Sequence, residues 1–175
     1  MEINGFLAQN IFDHNKVNHA FFYEESYTLK RFYPYLEPCG LIMRLTPDAK
    51  ITEETVAQDM AFWANHIGLL EQQPGFATNL AAQRTFAKLR CGIAGLYGYH
   101  KMYGHAETAY RQALRMYPTS VEATYRFAET LLEQRKKNEA LDVLRAYIAH
   151  PLTDKSSIPF TQRFIDQLTA DPPAE

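Results

Sequence analysis

Small residues recur 34 positions apart in the second half of the chain, and this recurrence limits the possible folds more than any other feature. Ala94 is followed by Ala128, and Ala106 by Ala140. Pro118 follows the first two of these alanines, Ala94 and Ala106. Because self-similarity at a fixed period is the signature of repeated structural units, the sequence predicts two successive units, about 87–118 and 121–151.

Each unit has the pattern of two helices joined by a short turn. A small side chain where two helices cross lets their axes approach toward the lower end of the usual range of about 8–10 Å. Ala94 and Ala106 are expected to face each other in this way, with Tyr97 and Tyr110 filling the space beside them. A proline cannot continue a helix, so Pro118 is expected to end the first unit, and Pro151 the second.

The spacing of these residues resembles the tetratricopeptide repeat (TPR) family, whose helical hairpins stack into a right-handed solenoid. The chain departs from the family at Arg90 and Thr124, where tryptophan is usual, and at Tyr147, where a small residue is usual. The resemblance covers residues 87–151. It implies an all-α fold, a right-handed α-solenoid fragment made of antiparallel helical hairpins.

Two such units cannot normally bury their own faces and need capping elements at both ends. The segment Thr52–Gln72 carries apolar residues at helical spacing, and Thr52 is a suitable N-cap. A second helix is expected at about 158–169, with Ser157 as its N-cap. We therefore expect these two helices to cap the hairpins from opposite ends.

The first fifty residues differ in character from the rest, so we divide the chain at residue 50. Residues 1–50 are rich in aromatic residues, interrupted by prolines, and are expected to pack as an irregular segment on the helical domain 51–175. Within them a short helix is possible in Ile3–Val17, and short extended pieces are possible in Ala20–Glu24 and Leu41–Thr46.

A weaker resemblance concerns the N-terminal half. The run Glu24-Glu25-Ser26-Tyr27, the segment Tyr33–Leu45, and the runs Ala61–Trp63 and Ala87–Arg90 are similar to the soluble C-terminal part of bacterial multi-pass membrane proteins of glycosyltransferase-like type. This resemblance implies an extracytoplasmic accessory domain of a parent membrane protein. The chain itself contains no run of about 20 apolar residues, so we expect it to be soluble as given. Its location is unknown, cytoplasmic by default and extracytoplasmic if the chain is cut from a membrane protein.

Composition and motifs argue against catalysis and against a nucleic-acid partner. The formal net charge is -2, whereas nucleic-acid binders usually carry a basic excess. No histidine pair has the spacing of a zinc-protease motif, and no nucleophile motif is present. We therefore expect no enzyme activity, no metal and no cofactor. Cys39 and Cys91 are interpreted as unpaired core thiols, although a disulfide between them stays possible.

The resemblance to tetratricopeptide repeats implies a groove lined by the first helix of each hairpin, which accepts a peptide or a helix of a partner protein. Carried over by position, the groove residues are Cys91, Gly95, Gly98, Tyr99, Tyr125, Glu129 and Leu132. Some family members hold a C-terminal carboxylate with lysine and asparagine where this chain has Cys91 and Gly95, which argues against that mode. The sequence favours a protein-interaction scaffold with an unidentified partner. The alternative is that residues 1–50 fill the groove.

Overall fold

The computed structural model describes residues 2–24 and 30–170. This part of the chain is mostly helical, with one small antiparallel sheet. The elements are α1 (Glu2–Asn15), β1 (Phe21–Tyr23), a 3-10 segment (Lys30–Tyr35), β2 (Leu36–Cys39), β3 (Ile42–Leu45), α2 (Glu53–Gln72), α3 (Leu80–Tyr99), α4 (Tyr103–Met116), α5 (Val121–Glu133), α6 (Lys137–Ala149) and α7 (Ile158–Ala170). No helix in the described ranges is long and apolar enough to span a membrane.

Helices α3 and α4 form one hairpin and α5 and α6 form the next. Their turns have the same geometry 34 residues apart, since Lys101 and Arg135 both adopt positive φ angles, 58° and 62°. In both turns the following N–H donates to the carbonyl five residues earlier, at 2.9 Å, which is the pattern of a Schellman C-cap. The backbone conformation of these turns therefore repeats with the same 34-residue period as the sequence.

The small residues of the repeat lie inside the hairpins, as predicted. The four alanines, Ala94, Ala106, Ala128 and Ala140, are fully buried. Tyr110 from the first hairpin stacks on Phe127 of the second, with ring centroids 5.7 Å apart. The hairpins thus share one hydrophobic core.

The two predicted capping helices are present. The α2 helix begins after Thr52, whose Oγ1 accepts a hydrogen bond from the Thr55 N–H at 3.1 Å, and it buries Trp63. The α7 helix packs against α6. Ser157 lies directly before α7 as predicted, and its carbonyl accepts the hydrogen bond of the Thr161 N–H at 3.1 Å. Its hydroxyl does not cap the helix, because it bonds to the Tyr147 hydroxyl and donates to the Asp154 carbonyl.

The N-terminal segment is more regular than predicted, because its strands form a three-stranded sheet. The strands pair in the order β1-β3-β2, with β3 antiparallel to both neighbours. The short helix and the two extended pieces expected there are confirmed as α1, β1 and β3, whereas β2, which contains Pro38, was not expected. Proline is tolerated in β2 because that strand lies at the edge of the sheet. The run Glu24–Tyr27 lies, apart from its first residue, outside the described residues.

Candidate binding site

A cavity of about 550 Å³ lies between the first helices of the two hairpins. Four of the seven predicted groove residues line it: Gly95, Gly98 and Tyr99 on α3, and Glu129 on α5. They come together because α3 and α5 pack against each other and present these residues on facing sides. The predicted position of the groove and the observed cavity thus overlap on both helices.

Gly95 forms the floor of this cavity, and the surrounding side chains depend on its lack of a Cβ. A Cβ placed there would lie 2.4 Å from Arg126 Nη2 and 3.1 Å from the Tyr33 hydroxyl. At Gly98 the nearest atom to such a Cβ would be Thr130 Oγ1, at an ordinary 3.8 Å. A side chain at position 95 would therefore have to displace the Arg126 guanidinium, whereas position 98 has room for a Cβ.

Tyr33 reaches into the cavity from the N-terminal segment. Its ring stacks on Tyr99, with centroids 4.7 Å apart and planes 14° from parallel. Its hydroxyl accepts a hydrogen bond from Arg126 Nη2 at 3.0 Å, and Arg126 Nη1 pairs with Glu122 at 3.2 Å. The N-terminal segment thus contributes one wall, while the cavity beside Tyr33 stays open. No feature of the sequence linked Tyr33 to Arg126, because the two residues are 93 positions apart.

The other three predicted groove residues do not line the cavity. Cys91 is buried, and its burial raises the pKa of its thiol to about 12, so it is not a reactive thiolate at neutral pH. Tyr125 stacks on Phe164 of α7, with centroids 5.7 Å apart. Leu132 is half-buried against the core. This corrects the assignment of Cys91, Tyr125 and Leu132 to the groove. For Tyr125 the reason is that α7 covers the part of α5 on which it lies.

Charged groups of both signs surround the cavity. Glu129 and Glu133 are exposed one turn apart on α5, and no described residue forms an ion pair with either. Lys101 also lines the cavity, from the α3–α4 turn. Within residues 2–24 and 30–170, no group of three His, Cys, Asp or Glu side chains is placed to hold a metal ion. The cavity offers hydrogen-bonding groups and aromatic surface for binding.

A buried polar network surrounds Arg90, which stands where the resemblance to tetratricopeptide repeats predicts a tryptophan in the first hairpin. Arg90 is fully buried, and its Nη1 donates to Asp59 Oδ2 at 2.6 Å. The Tyr97 hydroxyl donates to the same oxygen at 2.7 Å, and Arg90 Nε donates to Gln112 Oε1 at 2.8 Å. Burial lowers the pKa of the Arg90 guanidinium and raises the pKa of the Tyr97 phenol. The network joins α2, α3 and α4 and does not face the cavity.

Comparison with known proteins adds no identification. No protein-family model, curated protein or solved structure matches this chain. The resemblance to tetratricopeptide repeats and the resemblance to a membrane-protein tail domain both stay predictions. What the chain binds is therefore argued from its own cavity and side chains.

Proposed function

We propose that this chain is an interaction module of tetratricopeptide type, which binds an extended segment of a partner protein between α3 and α5 without catalysis. The observation that carries the proposal is the cavity of about 550 Å³ between the first helices of two hairpins that repeat every 34 residues. This volume is within the range of about 300–1,000 Å³ that is typical of ligand sites.

The groups around the cavity suit a peptide main chain with polar side chains. An extended peptide brings unpaired N–H and C=O groups, which need hydrogen-bonding partners when they leave water. The free carboxylates of Glu129 and Glu133 accept hydrogen bonds, and Lys101 donates them. Tyr99 is 48% exposed, so a bound segment would cover aromatic surface that is now in contact with water.

The proposal is tested by selecting peptides from a random library with the purified chain and measuring their affinities by fluorescence anisotropy. Tyr99→Ala and Glu129→Gln should each weaken binding by about 10-fold, the effect of losing roughly 1.4 kcal/mol. Glu129→Gln should unfold at nearly the wild-type temperature, because its position is exposed. Tyr99→Ala also loses the stack on Tyr33, so its unfolding temperature should fall slightly and its affinity is measured at a temperature at which the variant is folded.

Two matched controls separate binding from folding. Phe160→Ala removes an exposed aromatic side chain on α7, away from the cavity, and should leave affinity unchanged. Tyr125→Ala should lower the unfolding temperature, because Tyr125 stacks on Phe164 and hydrogen-bonds to Thr161. The proposal fails if no peptide is selected, or if selected peptides bind the Tyr99 variant as tightly as the wild type.

A further inference from the structure

We propose a second ligand site, which takes a small apolar carboxylate such as a medium-chain fatty acid. It is a cavity of about 450 Å³ between α4, α5 and α6. On α5 its lining residues are Thr124 and Phe127, whereas Arg126 and Glu129 line the first cavity. Because successive helical residues are rotated by about 100°, these two sets lie on different sides of α5. The inference is therefore independent of the proposed peptide groove.

The cavity exists because two large polar residues of the first hairpin have small counterparts in the second. In the first hairpin, Arg90 and Gln112 are hydrogen-bonded at 2.8 Å between α3 and α4. The residues 34 positions later are Thr124 and Ala146, and both line the second cavity. The space that a bonded pair fills in one hairpin is left vacant in the other.

The walls of this cavity are mainly apolar. Leu114, Phe127 and Val143 line it together with the ring of Tyr147. The Tyr147 hydroxyl is bonded to Ser157 at 2.7 Å, so the tyrosine is already satisfied and offers the cavity its apolar ring. A hydrocarbon body would therefore find apolar partners without leaving a buried polar group unpaired.

One guanidinium in this lining has no ion-pair partner among the residues that the structure describes. Arg111 lies over the ring of Phe127, with its Cζ 5.0 Å from the centroid. Its nearby acid, Glu107, is already bonded to Lys136 at 2.6 Å, and no described residue forms a salt bridge with Arg111. A carboxylate can accept two parallel hydrogen bonds from a guanidinium, which makes it the best anionic match for this group.

The other basic residues of the lining define how many charges a ligand would meet. Arg115 is already paired with Glu71. His150 accepts a hydrogen bond from the Leu152 N–H on Nδ1 at 3.2 Å, which leaves Nε2 as an N–H donor at the cavity. One free guanidinium and one imidazole N–H beside apolar walls fit a single carboxylate on a hydrocarbon chain.

The test is isothermal titration calorimetry of the purified chain with decanoate below its micelle concentration. We expect saturable one-to-one binding, and at least about 10-fold weaker binding of decanol, which lacks the charge that Arg111 pairs with. An acetylated pentapeptide that ends in leucine with a free carboxylate is titrated in parallel. Absence of saturable decanoate binding, with or without peptide binding, overturns the proposal.

Two pairs of variants locate the binding. Ala146→Phe fills the cavity from an exposed position on α6 and should abolish decanoate binding, whereas Ala149→Phe, exposed on the same helix but outside the cavity, should not. Arg111→Gln should bring decanoate down to the affinity of decanol, and the exposed Arg145→Gln should leave it unchanged. Binding that survives Ala146→Phe, or an equal loss in both members of a pair, overturns the proposal. Peptide selection at the α3–α5 cavity should be unaffected by all four changes.

Discussion

Replacing Arg90 by methionine should destabilise the chain by about 3–5 kcal/mol, because the substitution leaves the Asp59 carboxylate buried without its cation. Both side chains are almost completely inaccessible to solvent, 0% and 1% exposed, and their closest atoms are 2.6 Å apart. Asp59 Oδ1 has no hydrogen-bond partner in the described part of the chain, so the carboxylate depends on the contacts of its other oxygen. Removing Arg90 would leave it only the Tyr97 hydroxyl.

The expected magnitude is large enough to measure without ambiguity. Domains of this size are stable by about 5–15 kcal/mol, and each kcal/mol corresponds to roughly 2–4 °C in unfolding temperature. The single substitution should therefore lower the unfolding temperature by about 6–20 °C. Urea unfolding followed by circular dichroism would give the free energy directly, with an unchanged slope if the unfolded state is unaffected.

The double variant Asp59→Leu/Arg90→Met separates two contributions to the free energy of unfolding. One is the cost of leaving a buried charge without its partner, and the other is the net contribution of the ion pair. Replacing both members of a buried ion pair by apolar residues is often neutral or stabilising, so the double variant should be more stable than either single variant. If the losses of the single variants simply add in the double variant, the reasoning is refuted. Arg115→Gln, at a pair whose side chains are 63% and 38% exposed, serves as the surface control and should cause little change.

Three further outcomes are expected. A thiol reagent at pH 8 should modify exposed Cys39 but not Cys91 until urea is added, because burial raises the pKa of the Cys91 thiol to about 12; two fast-reacting thiols in the native chain would contradict this. Gly68→Ala should stabilise the chain by up to about 1 kcal/mol through helix propensity, whereas Gly95→Ala should gain less because its methyl displaces a bonded guanidinium; equal gains in urea unfolding would refute the close-approach argument. Burial raises the pKa of the Tyr110 phenol, so its contribution to stability is complete below pH 10 and is lost as pH rises toward that raised pKa. Urea midpoints measured between pH 9 and 11 should therefore fall above pH 10, and a midpoint that stays constant over this range would contradict the argument.

The hairpins could be predicted from the sequence because their determinants are local. Ala94 and Ala106 lie within one hairpin, and the signal at Thr52 is contained in a few neighbouring residues. The sequence did not indicate β2, because Pro38 argues against a strand unless the strand is known to lie at an edge. Edge position is a property of the assembled sheet and has no local signature.

The candidate site was only partly predictable for a related reason. Gly95 was found by its helical position, but its role depends on Tyr33 and Arg126, which meet across 93 residues of sequence. Tyr125 was assigned to the groove from its place in the repeat, whereas α7 covers it. A single sequence does not show which surface of the neighbouring helices a capping helix will cover.

The contact between Tyr33 and Arg126 also has a consequence for the order of events during synthesis. At about 5–20 residues per second, Arg126 follows Tyr33 from the ribosome by roughly 5–20 s, and the α3 glycine that accommodates both side chains emerges in between. Each helical hairpin closes within a short stretch of chain, whereas the Tyr33 hydroxyl must wait for α5 to receive the hydrogen bond from Arg126. During synthesis the N-terminal segment can therefore pack on α2 and α3 first, and the second hairpin adds its contact to Tyr33 only at a later stage.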